Sequence, residues 1–262
     1  ALVTHTTGDN NIAIGYGAMD DTDAGSTSLG SSDNVFIGLN AGGGTWANAA
    51  SSYNVGIGNN VMDSALNASI HVAIGHYALS SVTTSDQNVA IGANSAYALT
   101  TGGSSVAVGS AALQVHTTGA RNIAIGANAM NDTDAGSTSL GSNDNIFIGY
   151  DAGGGTWADA ASNQNIAIGN YAMDAALDGA SSNTAIGMYN LTSLTTGDKN
   201  TAVGYYSMIA ATTAISNVFI GNQAGQEAVT STHLLVQMQE KAEQHLLHIV
   251  QVKIILLLDT KL

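Results

Sequence analysis

The chain carries two tryptophans, Trp46 and Trp157, and each closes the same phrase, GGGTW. An indole on a glycine-rich loop offers a broad apolar face to a sugar ring and an N–H to donate, so receptor or glycan contact is the chemistry these residues could supply. The competing role is a hydrophobic cover folded back over the edge of the fold, and this is the reading we prefer. Asp21-Thr-Asp23-Ala-Gly25 and its repeat Asp132-Thr-Asp134-Ala-Gly136 set carboxylates at alternate positions, like the first half of a calcium loop. The later bidentate Glu is missing, which points to solvated turns and to no metal site. His71 and His76 lie close in sequence, but no carboxylate is placed to orient either, and the chain has no Cys. Neither a zinc site nor a nucleophile-His-acid set is readable. Glycoside cleavage needs paired carboxylates at a groove; Asp falls mostly in turn-forming stretches, and Glu occurs only at Glu227, Glu240 and Glu243. No catalytic residue and no cofactor is expected, and the chain is read as a non-enzyme.

What positions these residues is a repeat. A phrase of Asn, aliphatic, small, aliphatic and Gly recurs twelve times, starting at Asn11, Asn34, Asn54, His71, Asn88, Ser105, Asn122, Asn145, Asn165, Asn183, Asn200 and Asn217. The spacings run 23, 20, 17, 17, 17 and 17, then 23, 20, 18, 17 and 17, so a superunit of six turns occurs twice. The stretch Asp21 to Ser31 returns unchanged as Asp132 to Ser142, which makes duplication the simplest origin. Self-similarity at such a period marks a solenoid, whose units bury their apolar faces only by stacking on one another. The expected fold is all-β, a parallel β-solenoid of about twelve turns over residues 1–232, with superunits at about 5–115 and 116–227.

Within Ile12-Ala13-Ile14 the branched residues share one side and Ala13 takes the other, because side chains alternate along a strand. Both sides are apolar in turn after turn, as in strands buried on both faces. The favoured assignment puts Ala13, Phe36, Gly56, Ala73 and Ala90 outside the coil, as a stripe larger than soluble monomers expose, to be covered by association between chains. The alternative makes that stripe the coil interior, with the branched side under a return strand. Phrases such as GYGAM from Gly15 and GHYAL from Gly75 predict that return strand, with Ala18, Met19, Ala78 and Leu79 inside and the Gly as a permissive corner.

Asn opens ten of the twelve phrases: Asn11, Asn34, Asn54, Asn88, Asn122, Asn145, Asn165, Asn183, Asn200 and Asn217. Stacked at the roughly 4.8 Å spacing of adjacent strands, they form a structural ladder that shares hydrogen bonds along a rod about 55 to 60 Å long. Tyr171, Tyr189, Tyr205 and Tyr206 fall on the return strands, where they could line an outer aromatic strip but are expected to pack against loops. The widest gaps, residues 20–33, 42–53, 131–144 and 153–164, are where variation and binding can be accommodated.

A net charge of -14, with five Lys and Arg in all, argues against nucleic acid or an anionic membrane as partner. Charged residues make up 9% of the chain and Pro is absent, an unusual composition for a globular enzyme. The chain opens on Ala1 and is expected to be a processed chain or a fragment. From His233 the character changes. His233-Leu-Leu-Val falls where a further turn is due, residues 233–262 then lead into a strand or helix, and Leu246 to Leu258 is too short to span a bilayer.

The phrases NVAIG at Asn88 and SVAVG at Ser105, with their continuations, resemble the head repeats of trimeric autotransporter adhesins and similar repeats of bacteriophage tail-fibre proteins. The resemblance covers about residues 5–232. It implies a left-handed parallel β-roll, a homotrimer around a shared axis, and attachment of a virion or cell surface to a receptor or glycan alongside other fibre components. The turns are longer than in the adhesin heads and no membrane-anchor barrel follows. A phage-type fibre, located in the virion or at a cell surface, is therefore the expectation, with a bacterial adhesin head as alternative and a tailspike-type glycan-active enzyme as the less favoured third.

Overall fold

The computed structural model describes Leu2 and residues 8–20, 30–46, 50–64, 66–133, 141–157 and 160–226. Among the described residues the regular elements are twelve three-residue strands: β1 (Ile12–Ile14), β2 (Val35–Ile37), β3 (Val55–Ile57), β4 (Val72–Ile74), β5 (Val89–Ile91), β6 (Val106–Val108), β7 (Ile123–Ile125), β8 (Ile146–Ile148), β9 (Ile166–Ile168), β10 (Thr184–Ile186), β11 (Thr201–Val203) and β12 (Val218–Ile220). They form one parallel sheet in chain order. Ile14 stands on Ile37 and Ile37 on Ile57, like over like, so each phrase of the repeat is one rung. The expected solenoid is the fold. Residues 233–262 lie outside the described residues.

The favoured assignment of the two strand faces is corrected. Phe36, Gly56, Ala73 and Ala90 point into the coil and are buried, and Ala13 packs against that core at the open first rung. The branched side chains point outward instead. Steric economy accounts for the direction: a coil closed in 17 residues has room inside for a column of Ala and not for two columns of Ile.

The return strand is corrected as well. The segment after each strand is a run of turns in which left-handed residues recur, such as Tyr77 (φ 57) and Leu79 (φ 51). The Tyr77 N–H donates back to the Asn59 carbonyl at 3.0 Å, and the Leu79 N–H donates onward to Ser95 at 3.1 Å. Alternating the hand of successive residues bends the chain around the core while its N–H groups still reach the turns on either side. A non-Gly residue gives up roughly 1–2 kcal/mol in this conformation, offset by those bonds and by burial of Ala78 and Leu79. The corner glycine belongs to the same scheme. Gly75 has φ 139, and a Cβ there would run into the Gly92 carbonyl of the next turn.

Candidate functional site

Each ladder residue bonds lengthwise. The Asn34 N–H donates to Asn11 Oδ1 at 3.0 Å, Asn54 N–H to Asn34 Oδ1 at 3.0 Å, and the relay continues to Asn217 N–H on Asn200 Oδ1 at 3.1 Å. The amide Nδ2 groups clamp the loop of their own turn, as from Asn183 to the Gly197 carbonyl at 2.8 Å. Beside it runs a second relay of opposite sense, in which Ser32 N–H donates to Ser52 Oγ, Ser52 N–H to Ser69 Oγ and Ser69 N–H to Asp86 Oδ1. These side chains are committed to holding turns together, which leaves little for a ligand.

His71 takes an Asn position in the ladder. Its backbone N–H donates to Asn54 Oδ1 at 3.0 Å, and its Nδ1 accepts from Asn88 N–H at 3.2 Å. The proton therefore sits on Nε2, which is buried with no partner. Burial pulls this imidazole down to about 4, against smaller upward pulls from the Ser85 backbone and the Asp86 charge. His76 instead lies against the Tyr77 ring, with centroids 4.1 Å apart. The two histidines do not form a joint site.

Trp46 and Trp157 are 1% exposed. Their rings meet Phe36 and Phe147 at centroid distances of 5.7 and 5.5 Å and close the wide turns from within. Trp157 Nε1 donates to the Gly153 carbonyl at 3.1 Å, whereas Trp46 Nε1 has no partner. Placed so, neither indole has a face open to a sugar. Asp21, Asp23 and Asp134 lie outside the described residues, and Asp132 Oδ2 accepts from the Thr156 hydroxyl at 2.7 Å. Among the described residues, no group of three or more His, Asp or Glu side chains is placed to hold a metal.

The outer side of the sheet and the segment just after it face solvent. Ile12, Ile14, Ile57, Ile74, Ile91, Ile125, Ile168, Ile186 and Ile220 are between 37% and 57% exposed. Twelve rungs at about 4.8 Å make this aliphatic stripe about 53 Å long, interrupted only by Thr184 and Thr201 on its first column. Next to it, Tyr171, Tyr189 and Tyr206 stack ring on ring, at 5.0 Å and 4.8 Å between successive centroids. Tyr150 and Tyr205 meet the two ends of that stack edge-on. An outer aromatic strip, the less favoured of the two sequence readings, is what these rings form, mainly through contacts between successive rungs.

Sequence reasoning missed which strand face points outward, although a signal was present. Phe stands mid-strand at Phe36, Phe147 and Phe219, and only in those turns is the residue six positions on a Gly, at Gly42, Gly153 and Gly225. Where one position is large the other is empty, which places both on the same side, inside.

The fold is thus that of a parallel β-solenoid repeat protein, held by a polar ladder and presenting an aliphatic stripe. Comparison with protein-family models finds no match, and neither do comparisons with curated proteins and with solved structures.

Proposed function

We propose that the chain is a structural, receptor-attachment segment of a fibre, assembled from three copies side by side, most like a phage tail fibre or a comparable surface appendage. The observation that carries this reading is the outward aliphatic stripe. The largest apolar patch on a soluble monomer is typically about 300–600 Å² and often functional, and a double column of Ile and Val along the sheet, broken only at Thr184 and Thr201, extends well beyond that. Three such stripes facing a common axis cover one another, an arrangement for which the resemblance to adhesin heads and tail fibres is the support. The ladder and the Gly corners make the shaft stiff lengthwise, which suits a spacer that carries a binding end away from a surface. No catalytic role is assigned to any side chain. A bacterial adhesin head is the same reading with a different carrier.

Multi-angle light scattering tests it. The purified chain is expected at three times its 26.4 kDa mass. Replacing Ile74 and Ile91 together by Lys puts charges on adjacent rungs of the stripe and should release monomers. A stable wild-type monomer sinks the proposal.

A further inference from the structure

The outward stripe runs from one end of the sheet to the other and carries few marks of position. Ile and Val repeat from rung to rung, and the second superunit copies the first. Two such stripes can therefore face each other parallel and in register, parallel but slipped by the six rungs of a superunit, or antiparallel. Burial of apolar surface is non-directional and does not choose among the three.

Two residues do mark a position. Thr184 and Thr201 stand on the adjacent rungs β10 and β11, paired in register, with half-buried side chains on the outer face. Their backbone N–H groups donate to the Asn200 and Asn217 carbonyls at 2.7 Å, but neither hydroxyl has a hydrogen-bond partner among the described residues. The corresponding residues of the first superunit are Val72 and Val89. The second superunit thus sets two hydroxyls where its twin has methyl groups, and no hydrogen bond within the described residues uses them.

We propose that Thr184 and Thr201 fix the direction and register in which copies of the chain pack against one another, by requiring like against like at those two rungs. In the parallel, in-register arrangement each threonine meets its own counterpart, and a hydroxyl both donates and accepts, so the copies satisfy one another. After a slip of one superunit the hydroxyls face the aliphatic rungs β4 and β5. In antiparallel copies with their ends aligned they face β3 and β2, which are aliphatic as well. Either alternative strips water from the hydroxyls and returns no partner, which weakens association about tenfold for each one. The inference rests on the self-association proposed above and goes beyond it, since covering the stripe requires neither threonine.

Cross-linking of the full chain tests this, because the sequence has no cysteine and a single one can be placed at will. Ile12→Cys and Ile220→Cys mark the two ends of the stripe, about 53 Å apart, and Ile123→Cys marks the first rung of the second superunit. Two variants at a time are denatured, mixed, refolded together and joined by a short bis-maleimide. Parallel copies in register link each cysteine to its own kind. Mixed links between positions 12 and 220 report antiparallel copies, and mixed links between positions 12 and 123 report a slip. With both threonines present, mixed links should stay below about a tenth of the total. Thr184→Val with Thr201→Val should leave the oligomeric mass unchanged and raise the mixed links several-fold, whereas Thr184→Ser with Thr201→Ser keeps the hydroxyls and should keep mixed links rare. Predominant mixed links in the presence of both threonines, or a valine variant that links as they do, overturns the proposal. A monomeric mass in light scattering removes the association reading and this inference with it, so the two failures are told apart.

Discussion

The Phe36 ring occupies the space that a side chain on Gly42 would need: a Cβ at Gly42 would lie 2.9 Å from the ring. The same holds for Phe147 with Gly153 at 2.5 Å and Phe219 with Gly225 at 2.7 Å. In most other turns the sizes reverse, as with Gly56 and Met62 or Ala73 and Leu79, all buried, while Ala90 and Ala96 are both small. One interior volume is shared between a mid-strand residue and a residue of the return segment, and either one fills it.

This relation predicts strong coupling between Phe36 and Gly42. Phe36→Ala alone empties the volume and should cost about 3–5 kcal/mol. Gly42→Met alone overfills it and should also destabilise. Together they reproduce the pairing of Ala124 with Met130, whose φ of 49 shows that Met accepts the left-handed backbone at this place. The double variant should recover most of the loss in urea denaturation, and additivity of the two single effects would refute the shared volume.

The repeat was legible because its residues are constrained by stacking, which copies one environment twelve times. The lengthwise Asn ladder was legible for the same reason, since an amide in register with its like has few other partners. Direction was not legible from Ile12-Ala13-Ile14 taken alone: alternation separates two faces and does not say which is inside. The return segment was misread as a strand because left-handed Tyr77 and Leu79 look like ordinary strand formers in sequence, and only the fold selects their backbone conformation. The Tyr171–Tyr189–Tyr206 stack depends on rungs of 18 and 17 residues, and its edge contact with Tyr150 on a rung of 20, bringing distant positions together. Those spacings were known, but the partners of the return segment were not.

Asn183 should be among the most sensitive polar positions. Its Oδ1 accepts from the Asn200 N–H at 2.9 Å, and its Nδ2 donates to the Gly197 carbonyl at 2.8 Å. Asn183→Ala leaves both groups buried and unpaired, at about 1–3 kcal/mol each. Ser182→Ala, one residue earlier on an exposed site, should stay within about 0.5 kcal/mol. Equal chemical-denaturation midpoints for the two variants would show that the ladder does not hold the turns.

His71 makes the shaft sensitive to acid. Its pKa is 6.5 when unfolded and about 4 in the folded chain, where burial keeps the ring neutral. Between those values the unfolded state binds the proton and the folded state does not. Stability from this group is therefore complete above about pH 6.5 and is lost as pH falls toward 4, a span worth roughly 3 kcal/mol. His71→Asn installs the residue that ten other rungs use and removes the unpartnered Nε2. The variant should gain over wild type as pH falls from 7 to 4.5 in thermal or urea unfolding, with the difference between the two proteins isolating this side chain from the titrating Asp residues. A difference that stays constant across that range would mean His71 takes up its proton equally in the folded and unfolded chains, and the burial-depressed, neutral rung described above would be wrong.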